Sequence, residues 1–348
     1  MKFERTHRVN TTFLCVDCDN TFLYICFMKH ISILALHDAT INCIDSTYQI
    51  FNRVNDFLRY QGKESFYAVD IAGTDKEVEL SRGLYHIHVN RTLQEIKKTD
   101  VIVIPLLCGN FPNALKMNER YRDWVITHYH KGAEIVSLCV GSFFLASTGL
   151  LNERKCAIHW AARNEFEAMF PAINVIDDSI ITDENGIYTC GGGYSYLNLL
   201  LYVIEKHLGR EMSILASKMF EIDIERKSQN QFMIFIGQKR HEDKDVLDAQ
   251  QFIEDNPTEM FTVDAICERI GVGRRTFERR FKKCTSNSVA EYIQRVKVEF
   301  AKKQLESGRK TVNEIIYETG YNDVDAFRKV FKKHTDLSPV DYRRKYRV

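Results

Sequence analysis

The chain has 348 residues, 45% of them hydrophobic, with 48 Lys and Arg against 47 Asp and Glu, and ten Cys. That length suits two domains better than one and supplies enough apolar side chains for real cores, while the absence of any run of eighteen apolar residues argues against a membrane-spanning helix. The formal net charge of +1 hides an asymmetry: from Phe261 onward there are 21 Lys and Arg against 12 Asp and Glu, and before it 27 against 35. A basic C-terminal third on an acidic body points to a nucleic-acid partner for that third alone.

The N-terminal stretch 12–28 is apolar but interrupted by Asp17, Asp19 and Asn20, and lacks a small-residue cleavage pattern, so it reads poorly as a signal peptide. Met28-Lys29-His30 runs straight into a strand-like segment, and residues 1–27 are expected to be an extension outside the fold. Cys139, Cys156 and Cys267 lie in apolar stretches, the usage of a reducing, cytosolic compartment rather than a disulfide framework. Cys15 and Cys18 have C-x-x-C spacing, but no second ligand pair follows, so the zinc signal is weak and neither metal nor cofactor is expected.

In chain order, Ile31–Leu36 reads as a buried strand and Ile41–Tyr60 as an amphipathic helix with Ile44, Tyr48, Phe51, Val54 and Leu58 on one side. Phe66–Ile71 and Tyr85–Val89 are strand-like. Val101–Pro105 is a continuous Val/Ile run, the pattern of a central parallel strand covered on both faces. Residues 114–130 read as helical. Ala133–Leu138 is the next buried strand, with an apolar helix at Ser142–Leu145. Ile173–Ile176, Ile187–Cys190 and a helix over 195–206 follow. This alternation predicts a doubly wound α/β domain over 28–208. Residues 209–245 are expected as a helical connector ending in the polar linker Gln238–Asp245, and 246–348 as an all-α domain of seven helices.

Two weaker patterns have bland alternatives. His86 and His88 share a strand face as metal ligands would, but no third ligand is placed, and ordinary histidines explain them. Asp183-Glu184-Asn185-Gly186 fits a hairpin turn better than a calcium loop. Nothing matches a dinucleotide or phosphate-loop pattern.

The last ninety residues contain an internal repeat. Phe277-Glu278-Arg279-Arg280-Phe281-Lys282-Lys283 recurs as Phe327-Arg328-Lys329-Val330-Phe331-Lys332-Lys333. Thr262-Val263, Gly271, Ser288 and Tyr292 recur as Thr311-Val312, Gly320, Ser338 and Tyr342. The offset changes from 49 to 50 ahead of the recognition segment, so one residue has been inserted. Each copy reads as helix, turn at glycine, second helix: Val263–Ile270 then Arg274–Lys283 in the first. Phe277 and Phe281 share one face and must pack inward, as must Phe327 and Phe331. The outward residues are then Arg274, Arg275, Glu278, Arg279 and Lys282 in the first copy, and Val324, Asp325, Arg328, Lys329 and Lys332 in the second. Helices so decorated suit the major groove, with Arg on guanine edges and Lys on phosphates. Asp323 and Asp325 suit a helix start, and Asp325 either accepts from a cytosine amino group or only supports that start. Val289–Glu306, ending near Gly308, is a long helix that would hold the two copies at fixed separation, entering successive major-groove segments about 34 Å apart.

The repeat, with Gly320-Tyr321-Asn322-Asp323, Leu337-Ser338-Pro339 and Tyr342-Arg343, resembles the AraC/XylS family of bacterial transcription regulators over roughly 245–348. The family usually has Gly where this chain has Asp336, a departure expected to touch a helix cap more than DNA. Upstream, Ser137-Leu138-Cys139-Val140-Gly141-Ser142 places a Cys between a strand and a helix, the geometry of a nucleophile elbow. A helix start there is expected to lower the thiol pKa and offer oxyanion-binding amides. With Gly149-Leu150-Leu151 and Cys156-Ala157-Ile158-His159-Trp160, this resembles regulators that fuse a glutamine-amidotransferase-like (PfpI-type) domain, flavodoxin-like in fold, to an AraC-type domain. The resemblance implies double-stranded promoter DNA, a homodimer and a small-molecule effector as partners, with RNA polymerase a further one, in the cytoplasm and with no membrane association.

Catalytic relatives carry His directly after the nucleophile; here it is Val140. Their acidic residue falls at Cys43, with Asp38 and Asp45 as substitutes, and the first Gly of the elbow is Ser137. His159 is the remaining base candidate and is equally a structural residue. The expectation is therefore no catalysis, with Cys139 a vestigial or sensing nucleophile. The candidate ligand pocket comprises Cys139, Val140, His159, Cys190 and Gly191. The alternative is a thiol-dependent amidase or hydratase using Cys139 with an attached DNA-binding domain.

Overall fold

The computed structural model describes residues 28–348 apart from 177, 178 and 227, together with the backbone of two short strands, Thr12–Leu14 and Ile25–Phe27, which pair antiparallel. The expected extension 1–27 and the Cys15–Cys18 pair otherwise lie outside the described residues. The chain divides into two compact units, 1–227 and 228–348.

The first unit is built on a seven-stranded sheet. In spatial order its strands are Ile181–Glu184, Ile187–Cys190, Glu134–Ser137, Val101–Ile104, Lys29–Leu34, Tyr67–Gly73 and Arg91–Thr92. All neighbours are parallel except the first pair. Val101–Ile104 is wholly buried and central, as its unbroken β-branched run requires, because helices cover both faces of a parallel sheet. Helix α1 (Ile41–Tyr60) places Ile44, Ile50, Phe51, Val54 and Leu58 in the core, while Tyr48 is only partly buried. The expected helix over 114–130 is two, α2 (Phe111–Met117) and α3 (Arg122–His130), separated by a tight 3-10 turn at Glu119–Tyr121. Asn110 caps α2 by accepting from the Asn113 amide, which sets its start three residues earlier than the apolar pattern suggests. Tyr85–His88 pairs with Glu77–Leu80 in a hairpin separate from the main sheet. The turn at Asn185-Gly186, with φ +53° and +78°, closes the hairpin Ile181–Glu184/Ile187–Cys190. Helix α4 (Ser142–Ser147) and helix α5 (Arg163–Met169) precede α6 (Ser195–Leu208).

The segment expected as a connector, 209–245, is shared between the units. Helix α7 (Arg210–Met219) packs on α6 and α1, with Ser213 Oγ donating to the Leu201 carbonyl at 3.1 Å. Residues 228–243 instead lie along the second unit as an extended strap. Phe235 packs edge-on to Tyr292, Gln250 Nε2 donates to the Gln238 carbonyl, and Lys302 Nζ to the Met233 carbonyl. Side-chain contacts beyond the reach of any local pattern decide this division.

The second unit has the expected seven helices: α8 (Lys244–Asp255), α9 (Val263–Ile270), α10 (Arg274–Thr285), α11 (Val289–Ser307), α12 (Val312–Glu318), α13 (Val324–Thr335) and α14 (Pro339–Tyr346). The sequence repeat is a repeat of caps. Thr262 and Thr311 start α9 and α12, and Ser288 and Ser338 start α11 and α14. The Tyr292 hydroxyl donates to Glu254 of α8, and the Tyr342 hydroxyl donates to Glu306 of α11. Helix α11 thus closes the first half and opens the second. The extra residue of the second copy sits in its turn: Gly271-Val272-Gly273 separates α9 from α10, whereas Gly320-Tyr321-Asn322-Asp323 precedes α13.

Candidate functional site

In the first unit the strands Lys29–Leu34 and Val101–Ile104 are neighbours, and the chain leaves their carboxyl ends in opposite directions. Open α/β sheets bind ligands at such a crevice. Loop 35–40 and loop 105–110 meet there, the Thr40 amide donating to Leu106 and the Cys108 amide to Asp38. The elbow follows the adjacent strand Glu134–Ser137. A Cβ on Gly141 would lie 2.6 Å from the Pro105 carbonyl oxygen and 2.9 Å from that of Ile104, so only glycine lets the elbow seat against that loop.

Cys139 has φ +53°, a backbone conformation costly for a residue with a side chain, as elbow geometry demands. Its side chain is 1% exposed. Burial pushes the thiol up to about 12, outweighing the backbone amides of Val140 and Gly193 that donate to the sulfur. The expectation of a lowered thiol pKa is thus reversed, because desolvation of a thiolate outweighs two amide dipoles. The Cys139 amide itself donates to Cys190 Sγ at 3.2 Å. Cys43, the residue at the expected acidic position, lies near enough to disfavour a thiolate at Cys139 further. Asp38 accepts from the Arg82 amide at 3.1 Å and Asp45 from the Gln49 side chain.

His159 is engaged elsewhere. Its Nδ1 accepts from the Ala161 amide at 3.0 Å, and its ring lies directly on Gly192. Burial lowers its pKa, and the neutral ring then carries its proton on Nε2, leaving no free lone pair for a base. No hydrogen bond joins it to Cys139 among the described residues. Of the other pocket candidates, Val140 and Cys190 are buried beside Cys139. The Gly191 amide is taken by the Ile180 carbonyl at 2.8 Å and is not available to a ligand. Among the described residues no group of three His, Cys, Asp or Glu is placed to hold a metal ion, and His86 and His88 are exposed. Among the described residues no helix is long and apolar enough to cross a membrane.

In the second unit Phe277, Phe281, Phe327 and Phe331 are fully buried, which turns the opposite faces of α10 and α13 outward. Arg275, Arg279 and Lys282 are exposed, as are Arg328, Lys329 and Lys332. Arg274 is held by neighbours, donating to Asp264 at 3.0 Å and to Glu278 at 3.2 Å, so this Arg and Glu278 partly neutralise each other. Val324 departs from the expected outward set: it is half-buried and packs on the second half's core, where the first turn of α13 docks. Asp323, not Asp325, caps α13, accepting from the amides of Asp325 and Ala326. Asp325 is exposed and accepts from Arg328 at 3.1 Å.

Sequence reading missed Arg280, which donates to Asp243 at 2.6 Å and pairs with Asp245 at 2.9 Å, latching α10 to the start of α8. The signal was present: the second copy has the apolar Val330 where the first has Arg280.

Residues 266–345 match the model of a helix-turn-helix domain, and residues 48–206 match that of the DJ-1/PfpI family. The chain therefore joins a DJ-1/PfpI domain of flavodoxin-like α/β fold to a C-terminal AraC-type helix-turn-helix domain. This is the build of a helix-turn-helix transcription regulator, and the chain is one. It is similar to GbdR of Pseudomonas aeruginosa, named an HTH-type transcriptional regulator, with 22% identity across 90% of this chain and 84% of that protein. ArgR of the same organism, named likewise, is 25% identical across 62% of this chain and 66% of its own. Among solved structures, Drosophila melanogaster DJ-1beta matches with a TM-score of 0.46 and 19% identity, over 57% of this chain and all of that one.

Proposed function

We propose that the protein binds double-stranded promoter DNA in the cytoplasm as a homodimer, and that its DJ-1/PfpI domain senses a small-molecule effector rather than catalysing a reaction. RNA polymerase is a further partner on this reading. The observation that carries it is the pair of outward Arg/Lys faces on α10 and α13, repeated around one shared helix. Arg275, Arg279, Arg328 and Lys329 serve base edges, and Lys282 and Lys332 serve phosphates. The non-catalytic reading is supported by a buried, neutral Cys139 whose one candidate base is turned to a local amide, because thiol catalysis needs a thiolate within reach of a base. Control by an effector requires that it bind one arrangement of the protein more tightly than another.

The test is selection of duplexes from random sequence by the full-length protein, followed by titration at several salt concentrations. Affinity should fall steeply with salt. Arg279→Ala should weaken the selected site by about 1–3 kcal/mol and relax its preference, whereas Lys332→Ala should weaken all sequences alike. An unchanged preferred sequence for Arg279→Ala would remove α10 as a reading helix.

A further inference from the structure

Resting on the DNA-binding reading, we propose that Lys297 is the positioning residue that locks the two helix-turn-helix halves together and so sets the spacing between the DNA segments they read. The second unit has two separate apolar cores. One gathers Val246, Ile253, Phe277, Phe281 and Tyr292; the other gathers Ala301, Ile316, Phe327, Phe331 and Tyr342. They lie at successive stretches of α11, so no shared core holds the halves in one orientation.

Lys297 lies between them on α11, and its side chain is buried at 5% exposure. Its ammonium donates to three backbone carbonyls. Two belong to the loop that enters α9 in the first half, Pro257 at 3.2 Å and Glu259 at 2.6 Å. The third is that of Thr319, which ends α12 in the second half. An ammonium has three N–H donors, and here each has a partner, so a buried charge that would otherwise be prohibitive is tolerated. The next residue, Gly320, has φ +80°, and a Cβ there would lie 2.9 Å from the Thr258 carbonyl oxygen and 3.2 Å from Lys297 Nζ. The turn that launches α13 is thus seated directly on the loop that launches α9, with the ammonium beneath the contact.

Removing the ammonium leaves three carbonyls without their donor, and that of Thr319 is buried. They recover hydrogen bonds most cheaply by admitting water between the turn and the loop, which frees the halves to hinge about α11 while each keeps its own core. Two recognition helices read successive groove segments only if their separation is fixed.

The experiment takes the duplex selected by the full-length wild-type protein and inserts or deletes one or two base pairs between the two contacted segments. Wild type should lose about tenfold or more on a one-base-pair change, the cost of one bidentate base contact. Lys297→Met should bind the parent duplex more weakly and show a spacing profile flattened to less than about threefold, with a melting curve that remains cooperative. Lys297→Arg, which keeps a charged multidentate donor, should restore the dependence at least in part. Should Lys297→Met fail to fold, the same series run on Lys297→Gln carries the test. A variant that folds and retains the wild-type spacing profile, or one that is weakened equally at every spacing, overturns the proposal while leaving DNA binding intact. Failure of the wild-type protein to select any duplex overturns the DNA-binding reading and this proposal together.

Discussion

Cys139 shows how one residue can keep the backbone of a nucleophile and lose its chemistry. The strained φ, the Gly141 contact and the amides of Val140 and Gly193 remain, yet the surrounding thiols Cys43 and Cys190 are neutral and supply no proton acceptor. Because burial raises the folded-state pKa from the ordinary 9.0 to about 12, the contribution to stability is full below pH 9 and is lost as pH rises through 12. Alkylation of the native protein at pH 8, read by peptide mass spectrometry, should therefore spare Cys139 while labelling the half-buried Cys108 and Cys284. Rapid labelling of Cys139 near neutral pH would restore the thiol-enzyme alternative. Its presence on a strand-to-helix turn was legible in the sequence. Its acidity was not, since its burial depends on residues brought together by the sheet.

At the scale of elements, the repeat specifies its own punctuation. Both recognition helices end in a left-handed residue that is not glycine: Ser286 at φ +57° and Asp336 at φ +58°. The departure at Asp336 thus falls on a helix cap, and the first copy carries the same feature. A side chain in this conformation costs about 1 kcal/mol relative to glycine. Ser286→Gly should stabilise the protein by roughly that amount in a denaturant melt of the second unit. Asp336→Gly should gain less, because Asp336 also accepts from Asn230 Nδ2 at 3.2 Å. A destabilised Ser286→Gly would show that its side chain contributes more than its backbone costs. Helix ends such as Gly271 and Gly308 were readable because caps are local chemistry. The inward turn of Val324 was not, because it depends on where α13 docks.

For the whole molecule, the contrast between an acidic first 260 residues and a basic remainder corresponds to two units with separate cores. The DNA-binding unit begins earlier than the helical pattern suggests. A fragment comprising 246–348 lacks Phe235 against Tyr292, the Asp243 cap of α8 and both carboxylates that pair with Arg280. It should be less stable than 228–348 by about 3 kcal/mol or more, from lost packing and a lost cap, measured by thermal or urea unfolding of the two fragments. Equal stabilities would make the strap 228–243 dispensable.

The sequence by itself determined the alternation of the α/β domain, the seven C-terminal helices, the buried Phe pairs and the outward basic faces. Each is written in periodicities and caps spanning a few residues, where backbone geometry alone links position to environment. Only the tertiary structure decided that Cys139 is protonated, that residues 228–243 belong to the DNA-binding unit and that Lys297 joins its halves. Those outcomes rest on desolvation and on hydrogen bonds between residues tens of positions apart, which no local pattern records.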